Sequence, residues 1–135
     1  MNDDCLFCKL VEGIVPIAAK VFEDEDTLAF LDIFPVTEGM TLVIPKIHIS
    51  NWWEMDDTLL THTMTTAKRV AVALRSVYPK SRIGVQIEGL DVPHAHIKLI
   101  PFTTSDEYAS IPNRQVPPDF TKLTKVADNL RNHIL

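Results

Sequence analysis

The stretch Val92-Pro93-His94-Ala95-His96-Ile97-Lys98-Leu99-Ile100-Pro101 holds two of the five histidines of this chain, two positions apart and between prolines. Its apolar residues predict a β-strand, whose side chains alternate between two faces. His94, His96 and Lys98 therefore project from one face, and the residues between them project toward a core. Three proton-handling or cationic groups in a row indicate a functional site. The alternative is an exposed sheet face with incidental histidines.

Composition limits the class of protein. With 135 residues, 46% of them hydrophobic, the chain is long enough for one globular domain, which we expect to cover residues 1–135. No apolar run approaches the roughly 20 residues that span a bilayer, and the acidic start lacks the pattern of a signal peptide. We therefore expect a cytoplasmic protein that binds no membrane. The net charge of −5 argues against binding to nucleic-acid backbones.

Helical spacing and end signals predict three helices. A short helix at residues 5–12 has Asp3 or Asp4 as its N-cap. The longest candidate is 56–77, where apolar residues recur at helical spacing. A final helix begins after the capping residue Asp119. The predicted apolar faces are Leu60, Met64, Ala67, Ala71 and Leu74 on the long helix, and Leu123, Val126, Leu130 and Ile134 on the final helix.

Apolar runs bounded by turn residues predict the strands. Besides the run around His96, strands are predicted at residues 18–23, 27–33, 40–45 and 83–88. The polar, proline-rich segment 103–118 is predicted to be a loop. Strands followed by helices, with antiparallel returns, indicate an α+β fold with one mainly antiparallel sheet, a long helix, and short N- and C-terminal helices.

The run around His96 resembles the signature of the histidine triad (HIT) family, in which three histidines alternate with apolar residues. Here it is His94-Ala95-His96-Ile97-Lys98-Leu99-Ile100, with lysine in the place of the third histidine. Two other segments, 5–16 and 30–48, resemble the family in the same order along the chain. The resemblance covers about residues 5–101 and implies a HIT-like fold, followed by a C-terminal loop and helix at 102–135.

The resemblance implies a hydrolase or transferase that acts on nucleoside phosphoramidates or related nucleotide esters. His96 would attack the α-phosphorus, and water would hydrolyse the nucleotidyl-histidine. The carbonyl of His94 would hold the other nitrogen of the ring. Asp32 has the family's place for binding the ribose, although an aspartate at a strand end is also a turn or cap residue. The residues expected around the base, a purine, are Phe7, Leu10, Phe30 and Ile33.

The chain departs from the family pattern near the expected phosphate. Besides Lys98, Met40 stands where a histidine usually occurs, and Gly-Leu-Asp-Val at 89–92 replaces a more common Gly-Gln-Ser-Val. Asp91 would repel a phosphate, whereas Lys98 would attract one. We expect Lys98 to stabilise the phosphoryl oxygens or to protonate the leaving group. The alternative is a non-catalytic or slow nucleotide-binding regulatory dimer.

Cys5 and Cys8 form a Cys-x-x-Cys motif that fits metal ligands, a redox pair or two small core residues. A closed structural zinc site needs two further ligands, for which His48 and His94 are the candidates. Family members with this motif bind zinc through the matching four residues, so the resemblance implies a structural zinc here. A different class of function is a metalloenzyme in which His94 and His96 bind a catalytic metal together.

The resemblance also implies a homodimer in which two sheets meet. Trp52, Trp53 and the apolar face of the long helix are candidate interface residues. Both tryptophans fit equally well as residues that cover the core of one chain. His62 and His133 are expected to be surface residues without a role.

Overall fold

Nine α-helices and β-strands follow one another along residues 3–135, the part of the chain that the computed structural model describes. They are α1 (Leu6–Val11), β1 (Lys20–Glu23), β2 (Thr27–Leu31), β3 (Thr41–Pro45), α2 (Asp57–Val77), β4 (Arg82–Gln86), β5 (Ile97–Phe102), α3 (Ser105–Tyr108) and α4 (Phe120–Arg131). The strands form one antiparallel sheet in the order β1-β2-β3-β5-β4. The α+β prediction is confirmed. None of these helices is long and apolar enough to cross a membrane.

The sheet separates two apolar clusters because side chains alternate along each strand. On β2, Ala29 and Leu31 face the side that α2 and α4 cover, whereas Phe30 faces the side on which α1 lies. Ile97 and Leu99 of β5 lie on the side of α2 and α4, as the sequence predicted. The other side of β5 is thereby directed toward α1, and this is the side that carries the site described below.

Helix α2 has the predicted length, but its buried face differs from the predicted one. Ala67 and Leu74 are buried as expected, while Met64 is 39% exposed. Thr63 and Thr66 take positions against the sheet instead. Their hydroxyls are satisfied there, by a carbonyl of the preceding helical turn at 2.8 Å and by a threonine hydroxyl of β2 at 2.9 Å. Buried polar groups that have hydrogen-bond partners cost little free energy. A prediction from hydrophobicity alone therefore assigned some wrong residues to the buried face of α2.

The predicted cap of the first helix is wrong. Helix α1 begins at Leu6, and its N-cap is Cys5 rather than Asp3 or Asp4. The Cys5 sulfur accepts a hydrogen bond from the backbone N–H of Cys8 at 3.4 Å. A sulfur therefore replaces the oxygen that usually caps a helix, and the cap turns both cysteines toward the same place.

The segment 103–118 is not entirely a loop, because it contains α3. Thr104 and Glu107 form a capping box around its first turn. The Thr104 hydroxyl accepts from the Glu107 N–H at 3.2 Å, and the Glu107 carboxylate accepts from the Thr104 N–H at 3.1 Å. For α4, the predicted cap is confirmed: Asp119 accepts from the backbone N–H of Lys122 at 3.1 Å.

The structure decides one open alternative about the surface and adds a contact for a histidine that was expected to have no role. Trp52 and Trp53 are 41% and 67% exposed, so they do not cover the core of this chain. His62 has a structural contact, because its Nε2 lies 2.8 Å from Oδ2 of Asp24. That pair ties α2 to the turn between β1 and β2. His133 is exposed and bonds only to a backbone carbonyl of α4, at 2.9 Å.

Candidate functional site

His94 and His96 lie immediately before β5, so the strand prediction was wrong for residues 92–96. Strand β5 pairs with β3 only from Ile97 onward. Pro45, at the end of β3, has no N–H to give to a sheet ladder. Its carbonyl accepts instead from Nε2 of the His94 side chain, at 2.8 Å. The side chain of His94 thus occupies the carbonyl that a backbone N–H would otherwise use to continue the ladder between β3 and β5, and the ladder ends there.

Four side chains converge on a place that can hold one metal ion. One ligand atom from each of Cys5, Cys8, His48 and His94 lies within 4.8 Å of the others. Nδ1 of His94 is 3.4 Å from the Cys5 sulfur and 3.6 Å from the Cys8 sulfur, and Nδ1 of His48 is 3.2 Å from the Cys8 sulfur. A tetrahedral zinc with Zn–S of about 2.3 Å and Zn–N of about 2.1 Å separates sulfur from nitrogen by about 3.6 Å. The donor set and its spacing fit zinc.

The local structure also prepares these ligands chemically. Since Nε2 of His94 donates to the Pro45 carbonyl, the lone pair of the ring lies on Nδ1, the atom that faces the sulfurs. Burial lowers the pKa of His94 and favours the neutral ring that ligation requires. Cys5 and Cys8 are buried cysteines that form no disulfide and lie three positions apart on a helical turn. Two imidazole nitrogens beside them fit metal ligands better than inert core residues.

A cavity of about 420 Å³ opens on the α1 side of the sheet. Every predicted catalytic and substrate-binding residue except His94 lines it: Phe7, Leu10, Phe30, Asp32, Ile33, Asp91, His96 and Lys98. His94 lies behind the cavity, turned toward the cysteines. The fold therefore brings the predicted substrate-binding residues together and separates the two neighbouring histidines into two centres.

The ring of His96 is fixed and keeps one nitrogen available. Its Nδ1 donates to the carbonyl of His94 at 2.8 Å, as expected from the sequence. Among residues 3–135, no buried side-chain nitrogen or oxygen lacks a hydrogen-bond partner, so Nε2, which has no partner, is accessible from the cavity. The ring of Phe7 packs edge-on against it at 5.2 Å. Burial lowers the pKa of His96, which keeps the ring neutral and nucleophilic.

Asp32 lies just after β2, where its carboxylate takes part in a turn and its side chain also lines the cavity. Its Oδ1 accepts a hydrogen bond from the backbone N–H of Phe34 at 2.8 Å. This is the turn role that the sequence analysis gave as the alternative to ribose binding. The same residue also lines the cavity. The turn holds this carboxylate at the cavity wall.

Two ion pairs involve residues that line the cavity, and neither partner was predicted. Lys98 binds Glu88 at 2.6 Å, and Asp91 binds Arg114 at 2.7 Å. Arg114 comes from the segment before α4, and it lines the cavity together with Phe120. The carboxylate that was expected to repel a phosphate is thus balanced by a guanidinium.

Comparison with known proteins agrees with this arrangement. The model of the HIT domain matches residues 17–105. The protein hit of Bacillus subtilis is 40% identical over 104 residues, 73% of this chain and 71% of that protein. An adenosine 5′-monophosphoramidase of Saccharomyces cerevisiae is 34% identical over 127 residues, 93% of this chain and 80% of that protein. A Zn-bound histidine triad family protein of Mycobacterium smegmatis superimposes with a TM-score of 0.79 at 26% identity, covering 96% of this chain and 92% of that one. The chain belongs to the histidine triad family.

Proposed function

We propose that this protein is a nucleotide hydrolase or transferase that acts on nucleoside phosphoramidates or related nucleotide esters through His96. The observation that carries this proposal is the accessible Nε2 of a neutral, oriented imidazole in a cavity that apolar residues and two cations line. The relative from Saccharomyces cerevisiae, an adenosine 5′-monophosphoramidase, supports the substrate class.

The reaction proceeds in two displacements at phosphorus. The Nε2 lone pair of His96 forms a bond to the α-phosphorus, the bond from phosphorus to the leaving nitrogen or oxygen breaks, and the leaving group takes up a proton. Water then attacks the nucleotidyl-histidine, loses a proton and releases the nucleoside monophosphate with the ring restored. The carbonyl of His94 stabilises the ring while it carries positive charge. Lys98 stabilises the phosphoryl oxygens or supplies the proton.

The remainder of the cavity suits a nucleoside. The rings of Phe7 and Phe30 lie 5.5 Å apart, line the cavity together with Leu10 and Ile33, and would hold a purine by packing. The carboxylate of Asp32 would accept hydrogen bonds from the ribose hydroxyls. Because these walls offer shape rather than hydrogen bonds to base edges, we expect weak discrimination between purines.

One observation favours a slower, regulatory role. The ammonium of Lys98 is already neutralised by Glu88, and only 13% of the lysine side chain is exposed. If that pair stays closed when nucleotide binds, the phosphoryl oxygens meet no net positive charge from Lys98. The protein would then bind nucleotide with little turnover, as a regulatory dimer.

Trapping of the covalent intermediate distinguishes the two roles. The metal-loaded protein is incubated with an adenosine 5′-phosphoramidate and quenched in alkali, in which a phosphorus–nitrogen bond to histidine survives. We expect an adenylyl adduct on the peptide that contains His96, detected by mass spectrometry. Binding of AMP without any adduct or turnover would leave only the regulatory role.

Lys98 is tested together with its partner. In Lys98→Met alone, Glu88 would lose its cation and repel the nucleotide, so Lys98→Met/Glu88→Gln is the informative variant. We expect its kcat to fall by roughly 10²-fold, because one cation at the developing charge is lost, with AMP affinity kept. The Glu88→Gln single variant is the matched control. Unchanged kcat in the double variant would remove Lys98 from the mechanism.

We propose zinc as the ion of the cluster of Cys5, Cys8, His48 and His94. The spacing of its sulfur and nitrogen atoms supports this choice, as does the Zn-bound relative from Mycobacterium smegmatis. Four protein ligands leave no open position for water, so the ion would be structural. It would tie α1, which carries Phe7 against His96, to the segment before β5.

We further propose that the protein is a homodimer. Strand β4 is an edge strand with half-exposed Val85, and α2 carries Met64 and Val72 on its outer surface. The exposed side chains of Trp52 and Trp53 add further apolar surface. Such exposed apolar surface is typical of interfaces. Sedimentation is expected to give about twice the 15.2 kDa of one chain, and a single 15.2 kDa species would refute the dimer.

A further inference from the structure

Two cations that differ in exposure line the cavity. Lys98 and Arg114 are the cationic side chains among the described residues that line it. The side chain of Lys98 is 13% exposed, while that of Arg114 is 52% exposed. His96, which lines the same cavity, is buried. A ligand whose phosphorus contacts His96 would share the cavity with both cations.

Arg114 is brought to the cavity by the segment that precedes α4. Pro112 and Phe120 of this part of the chain also line the cavity, so the segment borders it on both sides of the arginine. The contact between Arg114 and Asp91 joins the segment to the loop just before His94. The segment is therefore part of the binding cavity, although it lies outside the matched HIT domain at 17–105.

The pair of Arg114 and Asp91 is suited to exchange. Both side chains are about half exposed, and exposed ion pairs of this kind contribute little to stability. A guanidinium binds the two oxygens of a carboxylate or of a phosphate in the same forked geometry. A phosphoryl group beside Lys98 and Arg114 would offer more negative charge than the single carboxylate of Asp91.

We propose that Arg114 binds a phosphoryl group of the substrate beyond the α-phosphate, and that Asp91 holds the guanidinium until this group displaces it. This proposal rests on the proposed function and names the leaving-group side of that site. Its substrate class is nucleotides with a phosphoanhydride bond, which carry a second anionic phosphate next to the reacting one. The site would thus prefer an anionic leaving group to a neutral amine.

The test compares the binding of ADP and AMP to the metal-loaded full chain by calorimetry. We expect the wild type to bind ADP more tightly than AMP. Arg114→Met is expected to weaken ADP binding by about tenfold, since a charge-assisted forked contact is lost, and to leave AMP binding unchanged. Lys125→Met, which removes the same charge from an exposed position of α4, is the matched control.

A second variant tests the exchange itself. Asp91→Asn frees Arg114 and removes a repulsive charge, so ADP binding should tighten by about threefold. An unchanged ratio of ADP to AMP affinity in Arg114→Met would overturn the proposal, and so would weaker ADP binding in Asp91→Asn. If AMP still binds in those cases, only the role of Arg114 fails. If neither nucleotide binds the wild type, the proposed function fails with it.

Discussion

Replacing His96 with alanine is expected to lower the turnover of an adenosine 5′-phosphoramidate by at least about 10³-fold, because the chain then lacks the nucleophile. No adenylyl adduct should form. AMP should still bind within about threefold of the wild-type affinity, since the contacts expected for its base and ribose come from other residues. The measurements are kcat from a continuous assay of amine release and Kd from calorimetry.

The matched control for this variant is His133→Ala, which removes an exposed imidazole that bonds only to a backbone carbonyl. It should keep full turnover. A His96→Ala protein that retains turnover within about tenfold of the wild type would contradict a covalent intermediate at this residue. Metal content distinguishes the remaining interpretation. If His96 bound a catalytic metal with His94, its removal would empty that site, whereas we expect the ion to be retained.

The second large effect is expected at the metal cluster. Cys8→Ser should lose the bound ion and lower the melting temperature by roughly 12 °C, which is the equivalent of ~4 kcal/mol for a chain of this size at an ion concentration about 1,000 times its Kd. The physical reason is that the proposed ion would join α1, which carries Cys8, to His48 and His94. Calorimetric melting and metal analysis of the purified protein check this expectation.

A chelator supplies the control for the same experiment. It should lower the melting temperature of the wild type to that of Cys8→Ser and should leave Cys8→Ser itself unchanged. A wild-type melting temperature that the chelator does not move would show that the four residues hold no stabilising ion. Because Phe7 packs against His96, loss of the ion should also weaken catalysis.

Local patterns were sufficient for much of this fold. The Cys-x-x-Cys spacing, together with the resemblance to the histidine triad family, identified four residues that the structure brings together. The alternation of apolar residues correctly placed Ile97 and Leu99 toward the helices. The predicted lining residues share one cavity because the motif residues lie on β2, α1 and the segment before β5, which are neighbours in this topology.

Other features depend on contacts that no local pattern contains. Strand β5 begins only after His96 because the side chain of His94 occupies the Pro45 carbonyl. The buried face of α2 includes Thr66 because a threonine of β2 offers its hydroxyl a partner. Glu88 could have been found from pairing, since Gln86 lies opposite Lys98 and Glu88 is two residues further along. No sequence pattern indicated Arg114, because its partner Asp91 lies 23 positions away and both residues belong to irregular segments.

His94 serves two neighbours with two different parts of one residue. Its imidazole Nδ1 faces the cysteine sulfurs, while its backbone oxygen accepts a hydrogen bond from Nδ1 of the His96 ring. Mutation can change the first part but not the second, because every amino acid has a carbonyl. A single substitution at position 94 can therefore remove one of the four candidate metal ligands and still keep the acceptor that orients the ring at position 96.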